Sequence, residues 1–201
     1  MRNFNLERVP KPRVTLSGKK VLPTFLHLDV EIGCGVGLYS VNYALQNPKR
    51  TLVAIDRSEV RMAKMLERMT QAGEVLNLIP IRENAIWFVS HEIQPDSVEN
   101  YFFLYPNPYP KKKQANKRWY RMPFMHHLLA TLKKKGRIHL ATNMKYYAEE
   151  TEEFLIQVWG LQLVDKKIYS SIDECPFAPR THFEKKYLER GETCWNLVFQ
   201  K

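Results

Sequence analysis

The segment with the clearest chemical potential in this chain is a glycine-rich turn that follows a carboxylate. An apolar run at residues 25–32 predicts a buried strand, and a helical pattern follows at residues 36–46. Between them, Gly33 and Gly35, with a third glycine two residues later, allow a tight turn whose backbone can touch a ligand. Glu31 comes just before this turn, so we expect its carboxylate to be directed at the same ligand.

A second acid, Asp56, ends the next short apolar run, residues 52–55. In nucleotide-binding α/β sheets, an acid at the end of the second strand binds the ribose hydroxyls. The glycine spacing is G-x-G-x-G, whereas a dinucleotide pyrophosphate calls for G-x-G-x-x-G. A glycine turn without a ligand is the alternative, but the two acids together favour a nucleoside that lacks phosphate, such as S-adenosylmethionine.

The third predicted strand, residues 76–82, is followed by Asn84 and Ala85. The helix before it is expected to start after Ser58, a suitable N-cap, and to end at Gly73. A polar side chain beside exposed backbone at this strand end would suit the edge of an adenine. We therefore expect the third strand end to complete the nucleoside site.

The fourth predicted strand, residues 98–105, runs into a proline-rich loop at residues 105–113. Three prolines within five residues exclude both helix and ladder pairing, so the loop is expected to be rigid and exposed. It follows a carboxyl end of the sheet, where α/β proteins place their ligands. Asn107 lies between two of the prolines, so its amide is presented in a nearly fixed pose.

A basic run that includes aromatic residues follows these prolines. Its cations are Lys111, Lys112, Lys113, Lys117, Arg118 and Arg121. Such a run is usually a solvated face, but its position next to a ligand site and the aromatics Trp119 and Tyr120 favour nucleic-acid contact. The formal net charge of +10 agrees with a polyanionic partner.

The remaining pattern alternates helices and strands and predicts an α/β fold. A helix is expected at 122–132, broken by Gly136, then a strand at 138–141, a helix at 146–159 and strands at 161–168 and 194–199. This alternation predicts a mainly parallel seven-stranded sheet with helices on both faces. The two closing strands resemble the antiparallel finish of the Rossmann-like class I methyltransferase sheet. Residues 170–191 are too long for a hairpin turn and predict an ordered functional insertion.

Composition suits one domain, expected at residues 21–201, preceded by a basic arm at residues 1–20. The arm is either a loose tail or an additional phosphate contact. No apolar run is long enough to cross a bilayer, and the arm has no apolar signal-peptide core. Cys34, Cys175 and Cys194 are widely spaced, so we expect no metal site and a reducing, cytoplasmic location.

Several of these motifs occur in an order that resembles the bacterial tRNA (guanine-N7-)-methyltransferase family, the TrmB-type enzymes. The matching segments are residues 31–37, 105–113, 117–118, 141–143 and 181–184. The resemblance extends from Glu31 to the C-terminus, and the proline–lysine loop together with the late T-x-F-E motif is its most specific part. It implies transfer of a methyl group from S-adenosylmethionine to N7 of a guanosine in tRNA, by a monomer or a homodimer.

The resemblance also implies roles for individual residues. Cofactor contacts fall on Glu31, Gly33, Gly35, Asp56, Asn84, Ala85 and Asn107. Substrate contacts fall on Lys111, Asn143, Thr181, His182, Phe183 and Glu184, and RNA contacts on Lys112, Lys113, Lys117 and Arg118. Asn107 occupies the catalytic position, the aspartate of the family's P-D-P-W loop.

This chain departs from the family pattern at two acids: Asn107 replaces the loop aspartate, and Asn143 replaces another. Guanine N7 attacks through a free lone pair, so no base is needed, but the product is cationic and a carboxylate would stabilise it. Asn107 accepts a hydrogen bond without adding charge, and Glu184 is expected to share base recognition. The alternatives are another target nucleoside, or a non-catalytic RNA-binding relative that keeps the cofactor pocket.

Overall fold

The computed structural model describes residues 4–15 and 27–201. Its strands are β1 (Leu28–Ile32), β2 (Thr51–Ile55), β3 (Leu78–Ile81), β4 (Val98–Leu104), β5 (Leu132–Thr142), β6 (Gln162–Tyr169) and β7 (Cys194–Gln200). Within the described residues these strands form one sheet in the order β3-β2-β1-β4-β5-β7-β6. Strands β1 to β5 are parallel, and β7 is antiparallel to both β5 and β6. The predicted mainly parallel sheet with an antiparallel finish is confirmed.

Helices follow the parallel strands and start near their carboxyl ends. They are α1 (Leu38–Gln46), α2 (Glu59–Ala72), α3 (Ala85–Glu92), α4 (Phe124–Thr131), α5 (Lys145–Glu153) and α6 (His182–Glu189). Three of them begin at side-chain caps: Ser58 accepts from the Arg61 amide, Asn84 from the Ile86 amide and Thr181 from the Glu184 amide. These caps satisfy amides that a helix leaves free at its first turn, and they fix where each helix begins.

Alternation along the central strands places a hydrophobic core on each face of the sheet. In β4, Tyr101 and Phe103 join the core beneath α3, α4 and α5, whereas Phe102 and Leu104 join the core beneath α1 and α2. This is the period of two that an extended strand imposes on its side chains. Each such buried side chain contributes about 1.5–3 kcal/mol, so the central strands are held rigidly from both sides.

The predicted helix at residues 122–132 extends one residue beyond the observed end of α4. Gly136, which was expected to break this helix, has another role. Helix α4 ends at Thr131, and Leu132 already pairs with Val98 of β4. Gly136 lies inside β5, where an added Cβ would sit 2.8 Å from the carbonyl oxygen of Lys133. The register with β4 shifts at this point, so Gly136 permits a bulge that resumes the strand.

Two later segments are ordered as the pattern indicated, with local differences. The helix predicted at residues 146–159 starts at Lys145, and its last part, Phe154–Val158, widens into a π-helix. The insertion predicted at residues 170–191 contains α6, whose first turn reaches the carboxyl edge of the sheet. The insertion therefore belongs to the site described below.

The described part of the N-terminal arm packs against the body of the protein. The Phe4 ring lies 5.7 Å from the Phe124 ring, and His91 Nε2 donates to the Val9 carbonyl at 3.0 Å. The amide of Arg13 donates to Glu83 Oε2 at 2.7 Å. This segment is not the loose tail that composition suggested, because it finds apolar and polar partners. The rest of the predicted arm, and residues 25–26 of the predicted first strand, lie outside the described residues.

Candidate active site

A cleft of about 860 Å³ opens at the carboxyl ends of β1, β2, β3 and β4. Its volume falls in the range of small-molecule sites. Strand β1 lies between β2 and β4, so the chain winds outward in opposite directions from β1, and a crevice forms there. The residues predicted to bind a cofactor, Glu31, Gly33, Gly35, Asp56, Asn84, Ala85 and Asn107, all line this cleft.

Glu31 is a buried carboxylate without a cationic partner among the described side chains. It is 2% exposed and accepts a hydrogen bond of 2.5 Å from the Ser40 hydroxyl. Burial raises the pKa of Glu31 to about 7, although the Ser40 hydrogen bond opposes the shift. A carboxylate in this state gains most from a ligand that brings a positive charge, as the α-ammonium of S-adenosylmethionine does.

Asp56 ties the glycine turn to the start of α2. It accepts from the Gly35 amide at 3.1 Å and from the Ser58 amide at 2.8 Å, and Arg61 Nη1 lies 3.4 Å away. Gly35 has φ +59°, which a residue with a side chain rarely adopts, so the glycine is needed for this contact. A carboxylate offers about four acceptor positions, so Asp56 retains capacity for ribose hydroxyls.

The third strand end contributes Asn84 and an acid that sequence reasoning missed. The side-chain oxygen of Asn84 caps α3 at 2.9 Å from the Ile86 amide, so its NH₂ group is the part left for a ligand. Glu83 is 9% exposed, lines the cleft and accepts from the amides of Arg13 and Asn84, each at 2.7 Å. Its position just after β3, like that of Asp56 after β2, was the signal that could have identified it.

The proline-rich loop forms the wall of the cleft that follows β4. Tyr105 and Tyr109 have φ of +53° and +46°, so the loop turns sharply at both residues. Asn107 is exposed at the mouth, and its side-chain oxygen accepts from the Tyr109 amide at 3.1 Å. This local turn holds the amide at the cleft, as the two flanking prolines predicted.

The structure corrects the predicted RNA contact at Arg118. This side chain is 5% exposed, and its Nη1 donates to both oxygens of Glu150 at 2.9 and 2.7 Å. Its Nη2 also donates to the Tyr109 carbonyl at 3.0 Å. The prediction was wrong because the guanidinium is turned inward, where it fastens the loop to α5 and cannot reach a phosphate.

The other predicted RNA and substrate lysines remain at the surface. Lys111, Lys112 and Lys113 are exposed beside the 3₁₀ turn Lys112–Lys117 and outside the residues that line the cleft. Lys117 is exposed at the mouth, with its ammonium 5.9 Å from the centre of the Tyr109 ring. These four lysines belong to one exposed basic segment, which we call the lysine loop, and Lys117 brings this segment to the mouth of the cleft.

Glu184 is likewise not a base contact, contrary to prediction. It is fully buried, and its carboxylate accepts from the hydroxyls of Tyr105 and Tyr169 at 3.0 Å each. Arg180 Nη2 donates to it at 2.6 Å, and this ion pair and the hydrogen bonds lower the pKa of Glu184 against the effect of burial. Glu184 therefore holds Tyr105, the first residue of the loop, from behind.

The remaining predicted substrate residues do reach the cleft. Asn143, Thr181, His182 and Phe183 all line it. Asn143 donates to Glu192 Oε2 at 2.8 Å, and Thr181 caps α6, so both also have structural partners. Phe183 is 53% exposed and stacks beside Tyr187 at a centroid distance of 6.2 Å, so its ring offers a flat apolar surface at the mouth.

In residues 4–15 and 27–201, no three histidine, cysteine, aspartate or glutamate side chains are grouped so that they could hold a metal ion. In the same residues, no helix is both long enough and apolar enough to cross a membrane.

Known proteins resemble this chain in sequence over most of its length. A family model described as "Putative methyltransferase" matches residues 26–197. A tRNA (guanine-N(7)-)-methyltransferase from Neisseria meningitidis serogroup C (strain 053442) is 30% identical over 172 residues, which cover 86% of this chain and 71% of that protein.

Two solved structures share the architecture at low sequence identity. The 16S rRNA (adenine(1408)-N(1))-methyltransferase from Catenulisporales acidiphilia has a TM-score of 0.61 at 16% identity, and the 16S rRNA methyltransferase KamB has 0.60 at 17%. Each match covers 88% of both chains. At this identity they show the fold alone, which is that of class I S-adenosylmethionine-dependent methyltransferases. The family model and the Neisseria relative show that this chain belongs to the tRNA (guanine-N7-)-methyltransferase family, as a divergent TrmB-type member.

Proposed function

We propose that this chain transfers the methyl group of S-adenosylmethionine to N7 of a guanosine in tRNA. The observation that carries the proposal is Glu31, a buried carboxylate with a raised pKa and no cationic partner among the described residues, at the end of β1. The α-ammonium of S-adenosylmethionine supplies the missing charge. In this proposal Asp56, which follows β2, would receive the ribose, and the NH₂ group of Asn84 would meet the adenine.

The reaction needs no general base. When bound, S-adenosylmethionine would supply an electrophilic methyl group, which the N7 lone pair would accept as the sulfur–carbon bond breaks and its electron pair stays on sulfur. The positive charge moves from sulfur to the purine. What the protein must supply is an in-line arrangement of N7, methyl carbon and sulfur, and such alignment can account for a large part of a rate enhancement.

The guanine would enter between the lysine loop and the first turn of α6. Asn107, Asn143 and Phe183 line the cleft there. The exposed Phe183 ring suits stacking on a purine, and the Asn107 amide suits hydrogen bonding to the base edge. Glu184 supports this wall from inside rather than touching the base, so recognition depends on neutral groups.

The test is incubation of the protein with bulk tRNA and S-adenosylmethionine labelled in its methyl group, followed by analysis of the nucleosides. We expect labelled 7-methylguanosine. A different labelled nucleoside would replace the proposal with a changed target, and cofactor binding without transfer would replace it with a non-catalytic RNA-binding role.

The matched control in that assay is Asp56→Ala. Loss of hydrogen bonds to the ribose should weaken cofactor binding by about 1–3 kcal/mol, and methyl transfer should fall at limiting cofactor. Because Asp56 also holds the Gly35 and Ser58 amides, the fold of the variant is checked by its unfolding transition. Unchanged cofactor affinity in a folded variant would exclude the ribose site.

A further inference from the structure

Helix α2 carries a stripe of basic side chains that the sequence reading overlooked. Arg61, Lys64 and Arg68 are spaced so that, at 3.6 residues per turn, they lie within about 60° of arc on one side of the helix. Arg57 comes just before the helix and continues the same line. Arg57, Arg61 and Lys64 are exposed, and Arg68 is half-buried. We call these four residues the α2 stripe.

The α2 stripe lies along the rim of the cleft. Arg57 and Arg61 are among the residues that line it. Further along, Arg68 Nη2 lies 3.2 Å from His182 Nε2, and Arg68 Nε donates to the Val36 carbonyl at 3.2 Å. The stripe therefore extends from the end of β2 to the start of α6.

The sheet order places this rim opposite the lysine loop. The α2 stripe follows β2 and the lysine loop follows β4, and these two strands flank β1 on either side. The cleft opens above β1, so one basic group borders it on each side. Only the lysine loop was visible as a run in the sequence, because the α2 stripe is a group only when the chain is helical.

Acidic neighbours do not neutralise the α2 stripe. Residues 57–68 contain four basic and two acidic side chains, and the acid Glu59 is paired with Arg82 at 2.6 Å. Arg61 lies 3.4 Å from Asp56, but Arg57 and Lys64 have no ion pair within the described ranges. A row of exposed cations at a cleft raises the local concentration of a polyanion.

We propose that the α2 stripe binds the phosphate backbone of the substrate RNA, so that the RNA is held across the cleft from both rims. This inference rests on the proposed function for the identity of the RNA. Phosphate contacts fix the position of a nucleic acid without reading its sequence. Two rims that both bind phosphate would set the direction in which the target guanosine enters.

Lys64→Glu is the sharpest test, because Lys64 is exposed and does not line the cleft. Affinity for tRNA is measured at several salt concentrations. We expect Lys64→Glu to weaken tRNA binding. The factor by which tRNA affinity falls between about 50 and 200 mM salt should also be about threefold smaller than in the wild type, which is the change expected when one phosphate contact is lost. Cofactor affinity and the unfolding transition should match the wild type.

Two further variants serve as a control and as a test with the opposite change of charge. Lys134→Glu makes the same charge change at an exposed site near the start of β5, at the amino ends of the parallel strands and away from the cleft. This variant should leave tRNA affinity close to the wild type. Glu67→Lys adds a cation beside the α2 stripe on an exposed position and should tighten binding.

Equal effects of Lys64→Glu and Lys134→Glu would overturn the inference, because net charge alone would then explain both. If the wild type forms 7-methylguanosine and Lys64→Glu binds tRNA normally, this inference fails and the proposed function stands. If tRNA binding depends on Lys64 but no 7-methylguanosine forms, the proposed function fails and the inference stands.

Discussion

At the scale of single residues, the acids of the cleft are gathered on the cofactor side. Glu31, Asp56 and Glu83 end or follow three neighbouring strands and line the cleft. On the side where the purine would become cationic, Asn107 is neutral and Glu184 is turned inward. Under the proposed function, the chain would therefore bind its cofactor with carboxylates and would meet the developing charge on the base with dipoles.

We predict that Asn107→Asp speeds methyl transfer. The new carboxylate can still accept from the Tyr109 amide, so the loop keeps its turn, and it adds negative charge beside the developing cation. One such contact is worth about 2.7–4 kcal/mol in a dry site, and the exposure of Asn107 reduces this to a gain of at least several-fold. The measurement is single-turnover formation of 7-methylguanosine at saturating cofactor.

In this comparison cofactor affinity should change little. A slower but folded aspartate variant would contradict the prediction and would show that the amide is adapted to a different nucleoside.

Glu31 predicts that cofactor binding depends on pH. Burial raises its pKa to about 7, so below that pH the side chain is neutral and cannot pair with the cofactor's ammonium. The affinity for S-adenosylmethionine should therefore rise roughly tenfold per pH unit up to about pH 7 and then level off. Calorimetry between about pH 5 and pH 8 measures this, and Glu31→Gln should bind weakly with a flat profile.

Stability of the empty protein should change in the opposite sense. The pKa of Glu31 in the folded protein lies above its ordinary value of 4.5. Glu31 therefore contributes fully to the free energy of unfolding below pH 4.5, and this contribution is lost as the pH rises towards about 7. Denaturant unfolding at the two ends of this window should show the loss in the wild type and not in Glu31→Gln. An equal pH dependence in both proteins would assign the effect to another group.

At the scale of elements, the proline-rich loop is fastened by two carboxylates from different helices. Glu150 of α5 holds Arg118, which in turn holds the Tyr109 carbonyl. Glu184 of α6 holds the hydroxyl of Tyr105 at the other end of the loop. The segment that presents Asn107 thus depends on both faces of the sheet, and its position is set by buried polar contacts rather than by its prolines alone.

Glu150→Ala tests this arrangement. The change leaves the Arg118 guanidinium buried and without its main partner, so we expect a loss of about 3–5 kcal/mol in unfolding free energy. Methyl transfer at saturating cofactor should also fall, because the loop is displaced, whereas cofactor affinity should stay near the wild type. Denaturant unfolding and single-turnover assays measure the two effects.

The double variant Glu150→Ala with Arg118→Met is the control. Removing the stranded charge should recover part of the lost stability, since replacing a buried ion pair with apolar groups is often close to neutral. Additive losses from the two changes would mean that the pair does not act as a unit.

At the scale of the whole molecule, one sheet with a hydrophobic core on each face carries a basic group on either side of the cleft. Residues 27–201 contain all seven described strands, which supports the proposal of one domain at residues 21–201. The net charge of +10 is thus placed in part where an RNA substrate would lie. Whether the chain is a monomer or a homodimer stays a prediction, and light scattering on the purified protein measures it.

Lys112→Ala should reduce the slope of log affinity against log salt for tRNA by roughly one. Lys112 is exposed on the lysine loop, whereas Lys134→Ala, at the amino ends of the parallel strands and away from the cleft, should leave the slope unchanged. Arg118→Ala should act on stability instead, because its guanidinium is buried. A slope that is identical in all three variants would show that the lysine loop is only a solvated face.

The sequence by itself determined the order of elements and the cofactor side of the cleft. Apolar periodicity, caps and turns are local properties that can be recognised in a sequence. Because parallel strands bring their carboxyl ends to one end of the sheet, the sequence alone predicted that Glu31, Asp56 and Asn84 lie together. The same reasoning placed the proline-rich loop beside them, since it follows β4. The alternation within β4 likewise determined that Tyr101 and Phe103 share one face of the strand and that Phe102 and Leu104 share the other.

Only the tertiary structure decided where several charged side chains point. Arg118 and Glu184 appeared in surface motifs, but their partners Glu150 and Tyr105 lie 32 and 79 residues away, and no local pattern contains that pairing. The end of α4 depended on pairing with β4 in the same way. A buried ion pair and a strand register arise from contacts between distant residues, so they appear only when the chain is folded.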